Sequence, residues 1–247
     1  MKYDVASHLL PLQGVENARD LGNYPVAGNH ITKKEVFFRS DSTSNFTTAD
    51  IRLMQEKNLG LVVDLRSEME THRAPSVFTH MDGIRYENVR MLDDLNSGRS
   101  SETLPPSMGA VYIHLLDSAK ESFARVFRAF SDTIETGKSC LFHCAVGKDR
   151  TGTTAMLLLD LVRADDDLII ADYAATYDFM KPVFDKQMAA YKAKGYDVPE
   201  YMMRSDASNM ETTLAYLRST YGNAKEYLHE CGVLEREIET IVDSFVI

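Results

Sequence analysis

The chain has 247 residues and a mass of 27.8 kDa, room for one large domain or one domain carrying an insertion. Hydrophobic residues make up 44%, enough for a substantial core. A net charge of −10 argues against general nucleic-acid binding and against broad adhesion to anionic membranes.

Taken in chain order, residues 17–28 carry turn chemistry at Gly22, Asn23, Pro25 and Gly28 and predict an irregular or hairpin opening. Residues 35–40 read as a strand. Residues 47–58 read as a helix, with Thr47 or Thr48 as its cap and Ile51 and Met54 facing inward. Residues 59–65 form an apolar run of the kind found in buried parallel sheets. Residues 84–91 alternate enough for another strand, and 95–106 form a polar loop. An amphipathic helix over 118–135 places Phe123, Val126, Phe127, Phe130 and Ile134 on one stripe. Residues 139–143 are a short buried strand, and 153–162 are apolar on nearly every face, as in a buried helix. Beyond 165 there is no strand signal. Residues 167–194 look helical, with an interruption at Pro182. Five of the twelve methionines lie between 180 and 210, among several aromatics. Packing against the domain accounts for most of them, and a mobile helical lid over 165–205 is the sharper reading. Strands alternating with helices predict an α/β fold, with its site at the carboxyl end of the strands.

No stretch reaches transmembrane length, so no stable membrane insertion is expected. The first residues lack a basic start followed by an apolar block. The expected location is cytoplasmic, or secreted if a signal peptide was removed from this chain. Cys140 and Cys144 would lie about 13 Å apart along one strand, too far for a bridge. No structural disulfide is expected. The histidines and cysteines form no metal-ligand pattern, so neither a metal nor a cofactor is expected.

The informative segment is His143-Cys144-Ala145-Val146-Gly147-Lys148-Asp149-Arg150-Thr151-Gly152. Cys144 and Arg150 stand six positions apart. The residues between can wrap so that their backbone N–H groups converge on an anion. A helix starting at Arg150 would aim its positive end at the same point. Arg150 could close the cradle with a planar fork matched to phosphate oxygens. A cysteine in that field loses its proton easily, and the thiolate is the nucleophile.

With that loop the chain resembles cysteine-dependent protein tyrosine phosphatases. Among them it resembles the bacterial group typified by mycobacterial protein tyrosine phosphatase B and the Listeria tyrosine and lipid phosphatase. Further matches are Asn17-Ala18-Arg19-Asp20-Leu21-Gly22, Asp64-Leu65-Arg66-Ser67 with Glu70 and Pro75, and Tyr221-Gly222 with Tyr227-Leu228. The resemblance implies a single phosphatase domain over 1–247: a central, mostly parallel sheet flanked by helices, a helical lid within 165–205 and a helical C-terminus. It implies phosphotyrosine proteins or phosphoinositides as substrates, with dual specificity possible, and no nucleic acid. The oligomeric state is not written in it.

Residue by residue, the resemblance makes Cys144 the nucleophile that forms a thiophosphate, and Arg150 the cation on the equatorial oxygens. The substrate cradle would be Ala145, Val146, Gly147 and Lys148, with Thr151 donating to the cysteine sulfur or capping the helix. Asp149 is the expected general acid, since the chain has no Trp for a Trp-Pro-Asp loop. Its alternative is an ion pair orienting Arg150 or Lys148, and Asp93 and Asp94 are the runners-up as acid. Lys148 either adds a second cation suited to inositol phosphates or only tunes Cys144. Arg19, Asp20, Asp64 and Arg66 are expected to brace the loop, and His143 to orient it. Two other functions use an anion loop. A rhodanese-type sulfurtransferase would show a two-fold internal similarity that is missing here, and a phospho-binding module would not need the nucleophile.

Overall fold

The computed structural model describes residues 3–91 and 105–247. Its strands are β1 (Arg19–Asp20), β2 (Pro25–Val26), β3 (His30–Ile31), β4 (Phe37–Ser40), β5 (Leu59–Asp64), β6 (Arg85–Asn88) and β7 (Ser139–His143). The central sheet runs β1-β4-β7-β5-β6. The last four strands are parallel, and β1 is an antiparallel edge. β2 and β3 form the small hairpin that the turn residues near 25–28 demand.

Alternation along the parallel strands sorts side chains to two faces. Phe37, Leu61, Val63, Cys140 and Phe142 enter the larger core, while Phe38, Val62 and Leu141 enter a smaller one. The smaller core is closed by Phe46, Phe78 and Met54. Met54 comes from α1 (Thr48–Glu56), whose Thr47 cap is completed reciprocally by Asp50. A short helix, α2 (Glu68–Arg73), follows β5 with a second capping box, from Ser67 and Glu70.

The larger core is filled by α3 (Met108–Ser118), α4 (Lys120–Ile134) and α5 (Asp149–Leu161). Phe130 of α4 packs edge-on against Phe37, with ring centroids 5.1 Å apart. The chain ends in α6 (Asp166–Ala193), α7 (Ala207–Thr220), α8 (Ala224–Glu230) and α9 (Glu235–Phe245). This is the expected α/β architecture: a mostly parallel sheet between helices, with a helical C-terminus.

Two expectations change, and a third falls largely outside the described residues. Residues 107–117 carried no assignment, yet they form most of α3, begun by a Ser107 side-chain cap. The helix expected at 167–194 is not interrupted: α6 runs 28 residues with Pro182 inside. Pro182 and Asp178, whose carbonyl it deprives of a donor, are both exposed, so water can replace the missing bond. The loop expected at 95–106 lies outside the described residues except for 105 and 106, and Asp93 and Asp94 lie outside them too.

The register sets the site. Ser40, His143, Asp64 and Asn88 lie in one row at the carboxyl ends of β4, β7, β5 and β6. Cys144 follows directly on the end of the central strand β7.

Candidate active site

The loop from Cys144 to Lys148 leaves β7 and enters α5 at Asp149, one residue earlier than expected. The carbonyls of residues 144 to 147 are each held by a group outside the loop. His143 Nδ1 pairs with Cys144 O (3.1 Å), and Ser42 N–H donates to Ala145 O (3.1 Å). Asn17 Nδ2 donates to Val146 O (3.0 Å) and Gly147 O (3.3 Å), and Arg39 Nη2 donates to Gly147 O (2.7 Å). In a trans peptide the N–H points opposite to the preceding C=O. Tying back four successive carbonyls therefore turns the N–H groups of 145 to 148 the other way. In this stretch the first N–H to find a backbone acceptor, among the described residues, is that of Gly152, on Lys148 O. The result is a nest of N–H groups at the positive end of a 13-residue helix, an arrangement with the polarity to receive an anion.

Two glycines allow this path. Gly147 has φ +70°, and a Cβ there would lie 2.6 Å from Ser40 O. Gly152, inside α5, would bring a Cβ within 3.1 Å of Tyr173. Glycine in a helix interior costs about 1 kcal/mol against alanine, so its place here reflects that close approach.

Beneath the loop sits a buried ionic cluster. Asp172 of α6 accepts from Arg19 Nε (2.8 Å), from Arg39 Nη1 and from Tyr24 OH (3.2 Å). Arg19 also donates to Asn17 Oδ1 (2.5 Å), which orients the Asn17 amide toward the loop. Burial would raise the Asp172 carboxyl, but the two guanidiniums outweigh it and hold it near 2. Two arginines against one carboxylate leave one excess positive charge under the nest. Burial and Arg19 lower Arg39 to about 10.

Arg150 is 7% exposed. Its terminal nitrogens grip Glu70 of α2 in a bidentate pair at 2.7 and 2.8 Å. Glu70 Oε2 also accepts from Ser67 N–H as the α2 cap, so one carboxylate anchors both groups. Burial alone would raise Glu70, yet Arg150 draws it down to about 2. His143 is fully buried between Cys144 O and Thr43 Oγ1 (3.1 Å). The carbonyl acceptor assigns its proton to Nδ1, and burial lowers its pKa. It orients the loop, as expected.

The other expected braces divide. Arg19 reaches the loop through Asn17. Arg66 binds Asp64 and holds Ser42, Ser44 and Ala74 O. Asp20 makes no bond to the loop: it accepts from Gly22 N–H in its own turn and from Glu35 N–H just before β4.

Three sequence expectations for the loop are revised by contacts. Lys148 does not present its ammonium to the cradle. It is 1% exposed and donates to Met202 O (2.5 Å) and Arg204 O (3.2 Å), because a buried ammonium must find acceptors. Thr151 Oγ1 is buried with no hydrogen-bond partner among the described residues, so the bond to the cysteine sulfur is not formed. The ion pair that orients Arg150 comes from Glu70 rather than Asp149. Asp149 lies 3.5 Å from Lys148 Nζ and accepts from Tyr112 OH at 2.7 Å.

A positive nest, a buried arginine and a cysteine on the strand end are the parts of a cysteine phosphatase. Residues 10–247 match the family model described as "Tyrosine phosphatase family". The chain belongs to the tyrosine phosphatase family. It is 29% identical to a tyrosine-protein phosphatase of Nostoc commune over 216 residues, covering 84% of this chain and 73% of the relative. It is 28% identical to a putative tyrosine-protein phosphatase of Cupriavidus necator, covering 90% and 84%. It is 24% identical to the triple specificity protein phosphatase PtpB of Mycobacterium tuberculosis, covering 92% and 95%. This tyrosine phosphatase is thus an enzyme of the phosphoric monoester hydrolase type. Sequence reasoning missed Tyr112, Tyr173, Asp172 and Arg39, and it named Glu70 without a role. Only tertiary folding brings these residues to the loop.

Proposed function

We propose that the protein hydrolyses phosphotyrosine through a cysteinyl-phosphate on Cys144. The observation that carries this reading is the outward tethering of the carbonyls of 144 to 147, which turns the intervening N–H groups toward one anion. Cys144 attacks phosphorus from the floor of the nest. The N–H groups and Arg150 hold the equatorial oxygens, where charge is greatest in the transition state. Asp149 gives a proton to the leaving oxygen and later takes one from water. Glu70 fixes the arginine, which needs no reorganisation as charge develops.

Phosphotyrosine is favoured over phosphoinositides because Lys148 spends its charge on the carbonyls of Met202 and Arg204. Broader specificity is a second reading, supported by the printed name of the PtpB relative. We assign residues 1–247 to one domain, with 165–205 as a lid. Support for the lid comes from Lys148, which joins the phosphate loop to the limb after α6, and from Cys144 being 1% exposed.

The test is phosphate release from a phosphotyrosine peptide, a phosphoserine peptide and phosphoinositide vesicles. Release fastest from phosphotyrosine supports the reading. Release only from the lipids would replace it, and turnover of thiosulfate alone would move the protein to sulfur transfer.

A further inference from the structure

Asp149 is held from one side only. Its Oδ1 accepts the Tyr112 phenol at 2.7 Å and faces Lys148 Nζ at 3.5 Å. Among the described residues no hydrogen bond reaches Oδ2. Tyr112 OH lies 2.7 Å from Tyr173 OH as well. A phenol has one proton to give, and Tyr112 gives its proton to the carboxylate. Tyr173 must then donate to Tyr112, so the chain runs Tyr173 to Tyr112 to Asp149.

Both rings are buried, at 1% and 0% exposure, and meet edge to face with centroids 5.7 Å apart. They come from α6 and α3, two elements outside the loop. Burial and the nearby Asp149 push both phenols up, so they stay protonated donors through neutral pH. Gly152 belongs to the same arrangement, because any side chain there would press on the Tyr173 ring at 3.1 Å.

We propose that Tyr112, backed by Tyr173, is a positioning residue that occupies Oδ1 of Asp149 and leaves Oδ2 to carry the transferred proton. This rests on the reading of Asp149 as the general acid. In the first half-reaction the Cys144 Sγ–P bond forms and the P–O bond to the leaving group breaks. The Oδ2 proton passes to the departing oxygen, leaving Asp149 ionised. In the second, water attacks phosphorus, its proton passes to Oδ2 and the P–S bond breaks to return the thiolate. Tyr112 keeps its proton throughout. A carboxylate free to rotate would often present the wrong oxygen, and anchoring Oδ1 removes that freedom.

The experiment compares wild type, Tyr112→Phe, Tyr173→Phe and Asp149→Asn on aryl and alkyl phosphates of graded leaving-group basicity. Tyr112→Phe is expected to leave KM and the rate on the best leaving group near wild type. On the poorest leaving group kcat should fall roughly ten- to a hundred-fold, because a misaligned donor matters only there. Tyr173→Phe should show the same pattern more weakly, and it provides the measurement if Tyr112→Phe does not fold. In the double variant with Asp149→Asn, Tyr112→Phe should add nothing. A uniform loss across all leaving groups, or an unchanged leaving-group dependence alongside a steepened one in Asp149→Asn, would overturn the positioning role alone. An unchanged dependence in Asp149→Asn itself would overturn the assignment of the acid, and this proposal with it.

Discussion

At the scale of single residues, the site is built by side chains that hold other groups still. Glu70 does this for Arg150 with two short bonds. Glu70→Gln keeps the shape and removes the charge, so kcat on a phosphotyrosine peptide should fall about 10- to 100-fold, the usual loss for an orienting partner. Steady-state kinetics would check this. Gly147→Ala should abolish activity and cost on the order of 1–3 kcal/mol, because its φ of +70° and the 2.6 Å approach to Ser40 O admit no Cβ. A thermal melt reads that cost.

The acid limb of stability follows from the same carboxylates. Glu70 and Asp172 titrate near 2 in the folded protein against ordinary values of 4.5 and 3.8. Depressed carboxyls stabilise the fold fully above their unfolded values and lose that contribution as pH falls. Unfolding free energy should therefore drop steeply between about pH 4.5 and 2. Denaturant melts across that range would show it, and a flat profile would count against these pairs. Cys144, Arg150 and Gly147 were legible in the sequence because their chemistry is local. Glu70 is 80 positions from Arg150 and Asp172 is 133 from Arg39, so only the folded chain reveals those partnerships.

At the scale of elements, the carboxyl ends of four parallel strands supply the platform. β5 and β7 were readable because buried parallel strands are continuous apolar runs. α3 was not, although Val111, Tyr112, Leu115 and Leu116 are all buried along it. Its position hides behind the polar stretch before it and merges with α4 across Ala119. The proposed lid comprises α6 and the limb after it. That limb is pinned by Lys148 at Met202 and Arg204, and by Ser205, which bonds Tyr177 N–H and Ala174 O at 2.8 Å each. Hydrogen exchange in 199–205 should change when vanadate occupies the loop; unchanged exchange throughout 170–205 would remove the lid from the account. Pro182→Ala should increase protection in the surrounding turns of α6, since it restores a helix bond to the Asp178 carbonyl.

At the scale of the whole molecule, the charge of −10 acts on encounter rather than on chemistry. Phosphotyrosine peptides with basic flanks should react faster than acidic ones at low salt. The difference should shrink as ionic strength brings the Debye length to about 10 Å. Phosphoinositides presented on anionic vesicles should be poorer substrates. Among the described residues no helix is long and apolar enough to cross a membrane.

Turnover passes through a covalent phosphoenzyme on Cys144, and mass analysis of enzyme rapidly quenched in alkaline denaturant during turnover of a phosphotyrosine peptide would detect it. One phosphoryl group is expected on the fragment containing Cys144, and none, with no turnover, in Cys144→Ser. Phosphate release that survives in Cys144→Ser, or a phosphoryl group on any other residue, would contradict it.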